Sequence, residues 1–361
     1  MLNVASTLLA QKVDGLVKRS VAAVVVAVAV IAILAGAYLT VPPITAPPTT
    51  TAPPTTKPQA LRVAIVLGTF ITEDGWNEAG YAGLMEAKEK YGDRIEVAYS
   101  EKVALADYER VMRSYAEKGY DLIFCHSTPS GEAVKSVAKD YPNIWFVWTD
   151  GFGEVPPNVV VITPLAHEAS YLAGMLAGGM TKVNIIGVVG GMNVPSTYRC
   201  YYAFTEGVKA VNPKAQVKVI WVGSFIDIHA GYEAARSLID GGADVIWGNG
   251  DSQNAGARFA ASERQVWYIG AVWDEWQYAP SVTLTSVKWG LDSAIVDIVG
   301  KALDNKLEPG KYYEYGMREG ATLASYHALE SAIPKDLRDK IQDATSKILS
   351  GQLVVPRKDF P

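Results

Sequence analysis

From Leu61 onward, short runs of apolar residues alternate with longer stretches in which apolar residues recur every three or four positions. The first run, LRVAIVL at 61–67, is typical of a strand buried on both faces, and NEAGYAGLMEAKEKY at 77–91 is typical of a helix. The same pattern predicts strands at 95–99, 121–126 and 144–149 and helices at 105–119 and 131–141. A strand that alternates with a helix in this way predicts a parallel sheet covered by helices.

The second half of the chain repeats this order. The segment GYDLIFCHSTP at 119–129 matches GADVIWGNGDS at 242–252, with Gly, Asp, Ile and an aromatic residue in corresponding places. Around the second segment the pattern predicts strands at 184–190, 217–222, 244–249 and 266–270 and helices at 196–211, 230–242 and 252–263. The chain therefore predicts two Rossmann-like α/β lobes. Ligands bind outside the carboxyl ends of strands in such sheets, so two facing lobes would enclose a cleft.

The remaining segments complete the two lobes. A strand is predicted at 282–287, a helix at 290–303 and a capped amphipathic helix at 333–351. We expect lobe 1 to comprise 61–165 and to be completed by about 276–312. Lobe 2 would comprise 166–275 and be completed by about 313–361. The chain would then cross between the lobes several times, which makes a hinge.

The N-terminal segment differs from the rest of the chain. Residues 21–39 carry no charge and reach the ~20 apolar residues that a membrane-spanning helix requires. Basic residues precede them, so the positive-inside rule places residues 1–20 in the cytoplasm and the globular part outside the cell. A cleaved secretory signal is the alternative. Residues 40–60 are rich in Pro and Thr, and we expect an extended stalk that is open to O-glycosylation.

The composition and the motifs of the chain argue against several classes of function. The net charge is −5 and no basic stripe is present, so nucleic acid is not an expected partner. Cys125 and Cys200 fall in different lobes and are expected to be free. The sequence contains no P-loop, no G-x-S-x-G and no metal-ligand spacing, so neither a cofactor nor an enzymatic activity is expected.

Two aromatic residues follow predicted strands at equivalent places in the two lobes. Trp76 comes where the loop after the first strand meets its helix, with Asn77 beside it, and Phe225 follows the strand at 217–222. A Trp at a helix start is as readily explained by packing on a neighbouring helix. The alternative is that the two rings hold a flat ligand between the lobes, each stacked base contributing ~1–3 kcal/mol.

Polar residues follow the other strands. These candidates for ligand contacts are Asp150, Asn249, Asp251, Asp274 and Lys288. Each alone is a common turn or cap residue, but together they lie at the same ends of successive strands and favour a polar ligand site. Trp273, Trp276 and Trp289 lie at or beyond strand ends, and the pattern leaves their role open.

Several segments taken together resemble one family. EDGWNEAGYAGL, HEASYLAGMLAGGMTK, AFTEGVKAVNP, GADVIWGNGDS and LTSVKW are similar to the basic membrane protein (BMP) family of ABC-transporter solute-binding lipoproteins, over about 61–325. The resemblance implies a type I periplasmic-binding-protein fold with a three-strand hinge.

The resemblance also implies roles for individual residues. In members that bind purine nucleosides, two aromatic residues sandwich the base, which implies Trp76 and Phe225 here. Asn77 and Asp150 would face the base, and Asp274 and Lys288 would face the sugar, with Asp251 as a further candidate. The chain departs from the family at its N-terminus, where no lipobox cysteine is present. It also departs at Val272, where relatives carry an acid, and this change weakens the predicted sugar contacts.

The sequence thus predicts a monomeric extracellular binding protein, held to the membrane by its N-terminal anchor. It would capture a purine nucleoside or a free purine and deliver it to an ABC permease. One alternative keeps the fold and changes the ligand to a sugar or another small metabolite. Others are a receptor domain that acts through a signalling partner, and an enzyme such as a nucleoside hydrolase.

Overall fold

Two six-stranded sheets form the framework of the protein, in a computed structural model that describes residues 59–72 and 75–360. The first sheet has the order β11-β5-β4-β3-β1-β2 and the second β12-β10-β9-β8-β6-β7. The first contains β1 (Leu61–Leu67), β2 (Ile95–Ser100), β3 (Leu122–His126), β4 (Trp145–Thr149), β5 (Val159–Pro164) and β11 (Tyr312–Tyr315). The second contains β6 (Ile185–Gly190), β7 (Gln216–Trp221), β8 (Val245–Asn249), β9 (Trp267–Val272), β10 (Thr283–Lys288) and β12 (Thr322–Leu323).

The five main strands of each sheet follow the same spatial order, which confirms the predicted fold of two Rossmann-like lobes. In both lobes the neighbouring main strands pair in parallel, and β10 with β12 is the antiparallel pair among the described strands. Burial of the strands on both faces explains their nearly continuous apolar runs, since helices cover both sides of a parallel sheet.

Nine α-helices cover the sheets within the described residues. They are α1 (Trp76–Tyr91), α2 (Tyr108–Glu117), α3 (Gly131–Asp140), α4 (His167–Met180), α5 (Pro195–Val211), α6 (Ile228–Asp240), α7 (Gln253–Arg264), α8 (Leu291–Leu303) and α9 (Lys335–Ser350). None of the helices described is long and apolar enough to cross a membrane. The segments 1–20, 21–39 and 40–58, for which a cytoplasmic end, an anchor and a stalk are predicted, lie outside the described residues.

The described chain passes between the lobes three times. It leaves the first sheet after β5, returns to the first lobe after β10, and crosses again between β11 and β12. The predicted boundaries placed 276–312 with lobe 1. In the structure β10 pairs with β9 in the second sheet, and the return to lobe 1 begins with α8, whose apolar face packs against α1 and the first sheet.

Helices α4 and α5 pack with their backbones in close approach. A Cβ built on Gly174 would lie 2.0 Å from the carbonyl oxygen of Phe204, and one on Gly207 would lie 1.9 Å from the carbonyl oxygen of Tyr171. Only glycine allows this separation, because any side chain would drive the helices apart. The contact secures the face of the second lobe that contains Cys200, which is free and buried, as is Cys125 in the first lobe.

We expect Gly207→Ala to lower the free energy of unfolding by about 2 kcal/mol or more, because the helices must separate. Helix propensity alone predicts the opposite effect, since alanine in place of glycine would raise the free energy of unfolding by about 1 kcal/mol. The measurement is urea denaturation followed by tryptophan fluorescence. The control is Ala210→Gly, at an exposed position of the same helix, which changes helix propensity without a packing contact. It should lower the free energy of unfolding by about 1 kcal/mol. A Gly207→Ala variant as stable as the wild type would contradict the close approach.

Candidate ligand-binding site

A cavity of about 350 Å³ lies between the two lobes, at the carboxyl ends of their strands. Its walls come from the loops and helix starts that follow β1 to β4 in the first lobe and β6 to β10 in the second. The lining includes Trp76, Asn77, Tyr108, His126, Thr128, Asp150, Met192, Ser196, Phe225, Asp251, Val272 and Trp289. The volume is at the low end of the range of small-molecule sites, ~300–1,000 Å³.

Trp76 is fixed on three sides. Its indole Nε1–H donates to the carbonyl oxygen of His126 at 3.0 Å, and the His126 ring stacks on it with centroids 4.7 Å apart. The Trp76 carbonyl accepts a 2.7 Å bond from His126 Nε2. Trp289 meets the Trp76 ring edge-on at 5.9 Å. Because one face of the indole rests on His126, the other face is the one available for a ligand.

His126 supports this arrangement as a neutral imidazole. The ring is buried, and desolvation lowers its pKa to about 4. Since the Trp76 carbonyl can only accept, Nε2 holds the proton, and Nδ1 accepts from the Thr149 hydroxyl at 3.1 Å. The sequence analysis did not single out His126, although it ends the first copy of the repeated strand.

Asn77 is buried and holds the loop after β1. Its Oδ1 accepts from the Gly68 backbone N–H at 2.9 Å, and its Nδ2 donates to the Thr69 hydroxyl at 2.6 Å. An amide has two N–H groups and two acceptor lone pairs. One N–H and one lone pair therefore remain for a ligand.

Asp150 is a buried carboxylate at the end of β4, in a left-handed backbone conformation with φ of 58°. Its Oδ2 accepts from the Thr128 hydroxyl of its own lobe at 2.9 Å and from the Ser196 hydroxyl of the other lobe at 2.7 Å. Desolvation raises the pKa of Asp150 to about 6, and these two hydroxyls limit the rise. Both bonds engage Oδ2, so Oδ1 is the oxygen that a ligand's donor can reach.

The second lobe contributes Phe225 and Asp251. Phe225 lies in the loop between β7 and α6, and its ring covers Gly191, where a Cβ would come within 2.5 Å of it. Asp251 Oδ1 accepts from the Trp76 backbone N–H at 2.9 Å, across the cleft. Gly75 permits this bond, because a Cβ there would lie 2.3 Å from the same oxygen.

Five of the eight candidates named from the sequence line one cavity, and three do not. Asn249 is buried, and its Nδ2 donates to the Thr197 carbonyl oxygen at 2.9 Å. Asp274 bonds the ring of His327 at 2.7 Å and the Trp276 backbone N–H at 3.2 Å. Lys288 ends β10 with its ammonium 5.6 Å from the centre of the Trp273 ring. The residues that line the cavity at these strand ends are Val272 and Trp289. Lys288 and Trp289 are adjacent, so their side chains point to opposite sides, whereas Asp274 lies two residues beyond the end of β9 at Val272.

The charge of the cavity restricts the class of ligand. None of its lining residues within the described chain is Lys or Arg, whereas Asp150 and Asp251 contribute carboxylates. A phosphate or carboxylate ligand would meet negative charge without a basic partner. The cavity therefore suits an uncharged molecule with hydrogen-bond donors and flat apolar faces. Within the described residues, no cluster of His, Cys, Asp and Glu could hold a metal ion.

Comparison with known proteins agrees with this geometry. Residues 60–359 match the model of the Bmp family, described as ABC transporter substrate-binding protein PnrA-like. The chain belongs to this family.

The relatives of this Bmp-family protein differ in the ligand for which they are named. A purine-binding protein of Brucella abortus is 31% identical over 283 residues, which cover 77% of this chain and 78% of the relative. A Haloferax volcanii protein named for glucose binding in an ABC transporter is 30% identical over 297 residues, covering 82% and 74%. A solved ABC-transporter solute-binding protein of Aeropyrum pernix superposes with a TM-score of 0.71 at 20% identity, covering 82% of this chain and 94% of that one. Family and fold are those of solute-binding proteins.

We expect the stability of Asp150→Asn relative to wild type to increase with pH. The folded protein holds the Asp150 proton with a pKa of about 6, above the ordinary 3.8. Between pH 4 and 6 the Asp150 carboxyl binds fewer protons in the unfolded chain than in the folded protein. The wild type therefore loses stability as pH rises from about 4 to 6, and the whole loss is present above pH 6. A shift of about two units corresponds to about 3 kcal/mol, which is the largest relative gain expected. Urea denaturation from pH 3.5 to 7.5 measures it.

The control for this experiment is Gln342→Ala, which alters an exposed and uncharged residue of α9. Its curve should run parallel to that of the wild type. Any constant offset in Asp150→Asn reports the altered bonds to Thr128 and Ser196 and does not depend on pH. If Asp150→Asn also ran parallel to the wild type, the raised pKa would be refuted.

Proposed function

We propose that this Bmp-family protein is the extracellular solute-binding protein of an ABC importer and captures a purine nucleoside or a free purine. One observation carries the proposal. The cavity between the lobes has Trp76 on the wall from lobe 1 and Phe225 on the wall from lobe 2, with Asn77 and Asp150 beside them.

The chemistry of the walls suits a purine. Aromatic side chains on opposite lobes can cover both faces of a flat heterocycle, and each base–aromatic stack contributes ~1–3 kcal/mol. The remaining N–H and lone pair of Asn77 and the Oδ1 of Asp150 can pair with donors and acceptors on the edge of the ring. None of the described lining residues is Lys or Arg, which argues against nucleotides, whose phosphates would need a cation.

The names of two relatives support a purine as ligand and also one competing ligand, a sugar. The Brucella relative is named for purine binding, and the Haloferax relative is named for glucose binding. A sugar would use the same hydroxyl and carboxylate groups but would not require two aromatic walls from opposite lobes. Glucose is therefore included in the binding test.

Binding would act through the equilibrium between open and closed lobes. A ligand that contacts both lobes stabilises the closed arrangement by its extra contacts there, and no chemical step is needed. The closed protein would then present its ligand to a permease in the membrane. The predicted anchor at 21–39 would keep the protein near that permease, and we propose that it acts as a monomer.

We expect the full chain to bind at least one of adenine, hypoxanthine, adenosine and inosine with micromolar or lower Kd. The test is calorimetric titration of protein solubilised in a mild detergent, after partial denaturation and dialysis to remove carried-over ligand. Trp76→Ala and Phe225→Ala should each weaken binding about 5- to 100-fold, since each removes a stacking surface.

Phe259→Ala is the matched control. Phe259 is an exposed aromatic residue of α7 that does not line the cavity, so its removal should leave Kd unchanged. Binding of glucose with no response to any purine or nucleoside would overturn the proposal and favour a sugar. Turnover of a nucleoside by the purified protein would favour a hydrolase instead.

A further inference from the structure

Gln253 lies beneath the part of the cavity wall that lobe 2 provides. It begins α7, it is 0% exposed, and the described lining of the cavity does not include it. Its Oε1 accepts from the Asp251 backbone N–H at 2.8 Å, and its backbone N–H donates to the Phe225 carbonyl oxygen at 3.1 Å. One buried residue thus bonds to both sequence-predicted residues that line the cavity from lobe 2.

Two glycines leave the space that the Gln253 amide occupies. A Cβ built on Gly250 would lie 1.8 Å from Gln253 Nε2. One built on Gly191 would lie 3.3 Å from the same atom and 2.5 Å from the Phe225 ring. Gly191 follows β6 and Gly250 follows β8, so the amide fills the space where these strands end. The Gln253 side chain therefore lies close to the Phe225 ring and also bonds to Asp251.

The Gln253 amide is the first member of a buried relay that ends at a carboxylate. Gln253 Nε2 donates to Asn254 Oδ1 at 2.9 Å, and Asn254 Nδ2 donates to Glu275 Oε1 at 3.1 Å. Asn254 and Glu275 are each 2% exposed. We call these three side chains the amide relay. Glu275 also accepts from further donors, which are the Ala271 backbone N–H, the Tyr268 hydroxyl and the Arg258 guanidinium.

The carboxylate of Glu275 fixes the direction of every bond in the amide relay. An ionised carboxylate only accepts hydrogen bonds, whereas an amide accepts through its oxygen and donates through its nitrogen. Asn254 must therefore turn its NH2 group to Glu275 and its oxygen to Gln253. Gln253 in turn must direct its NH2 group to Asn254 and its oxygen to the Asp251 N–H. Reversing either amide would set donor against donor or acceptor against acceptor in a buried place, which is unfavourable.

We infer that Gln253 is a positioning residue of the ligand site and that the amide relay behind it fixes the places of Asp251 and Phe225. The inference rests on the proposed function and names what holds the lobe 2 side of that site. Asp251 carries the effect to the other lobe, because its Oδ1 accepts from the Trp76 backbone N–H at 2.9 Å. A displaced Asp251 would lose this bond, and a displaced Phe225 would no longer cover one face of a flat ligand.

The first experiment needs no ligand and measures residue-resolved hydrogen exchange in the full chain, solubilised in a mild detergent. Gln253→Met keeps the length of the side chain and removes both of its hydrogen-bonding groups. We expect the Asp251 and Trp76 amides to exchange about 10-fold faster or more. The Asp251 amide loses its acceptor, and the Trp76 amide, in the opposite lobe, loses an acceptor held in the correct place.

An amide at the far ends of the lobe 2 strands is the internal control. The Lys182 backbone N–H also donates to a carboxylate, that of Asp244, at 2.7 Å. It should exchange as in the wild type. Gln342→Met, at an exposed position of α9, is the matched control variant and should leave Asp251, Trp76 and Lys182 unchanged. A wild-type rate at Trp76 in Gln253→Met, or an equal acceleration at Lys182, would overturn the inference, since the second result indicates a general loss of stability.

A second variant tests the rest of the amide relay, and it also serves if Gln253→Met does not fold. Asn254→Ala leaves Gln253 in place and removes its link to Glu275. Because the Gln253 amide then has no fixed direction, we expect the Asp251 and Trp76 amides to exchange about 3- to 10-fold faster. Wild-type exchange in Asn254→Ala would refute the part assigned to Asn254 and Glu275.

The closing experiment is calorimetric titration with adenine, hypoxanthine, adenosine and inosine. Gln253→Met should weaken the binding of each compound that binds the wild type by about 5- to 50-fold. Adding Asp251→Ala should weaken it by less than about twofold more, because both changes remove the same contact. Losses that multiply would show that Gln253 acts independently of Asp251 and would overturn the inference. If none of the four compounds binds the wild type, the proposed function is refuted, while the exchange experiment still decides the role of Gln253.

Discussion

The cavity depends on two carboxylates, each of which accepts a hydrogen bond from the opposite lobe. Asp150 of lobe 1 accepts from the Ser196 hydroxyl of lobe 2, and Asp251 of lobe 2 accepts from the Trp76 backbone N–H of lobe 1. These bonds fix the distance between the lobes at the point where the walls face each other. They also position Trp76, because the Asp251 bond is made to its backbone N–H.

The same carboxylates set an electrostatic limit on closure. Burial makes the charged form of Asp150 less favourable, which raises its pKa. Part of the free energy gained by its hydrogen bonds therefore only offsets the cost of burying the charge. A ligand N–H that donates to Oδ1 would form a charge-assisted bond and lower this cost. A neutral donor ligand would thus stabilise the closed state in a way that an anion would not, because Asp150 and Asp251 lie in the cavity wall and none of its described residues is Lys or Arg.

Most of the fold could be predicted from the sequence, because parallel strands buried on both faces and amphipathic helices leave strong periodic signals. The strand at 61–67 was predicted to the residue, and the repeated segments identified two lobes. The lobe boundaries near 283–288 could not be predicted, since a buried strand has the same pattern in either sheet.

Among the site residues, Trp76, Asn77, Asp150, Phe225 and Asp251 lie on the cavity because strand ends converge there. Lys288 does not, since side chains alternate at the end of β10, and Asp274 does not, since β9 already ends at Val272. Ser196 and Thr128 gave no sequence signal beyond being polar residues at the start of α5 and after β3.

The segment that follows β10 links the cavity to the crossings between the lobes. Trp289 precedes Gly290, whose φ of 68° turns the chain toward α8. A Cβ on Gly290 would lie 2.7 Å from the carbonyl carbon of Gly320, which belongs to the crossing between β11 and β12. Two of the three crossings therefore pack backbone against backbone beside the cavity. The Trp289 side chain lines the cavity one residue before the first of them, so the cavity wall and the connection between the lobes are continuous at this point.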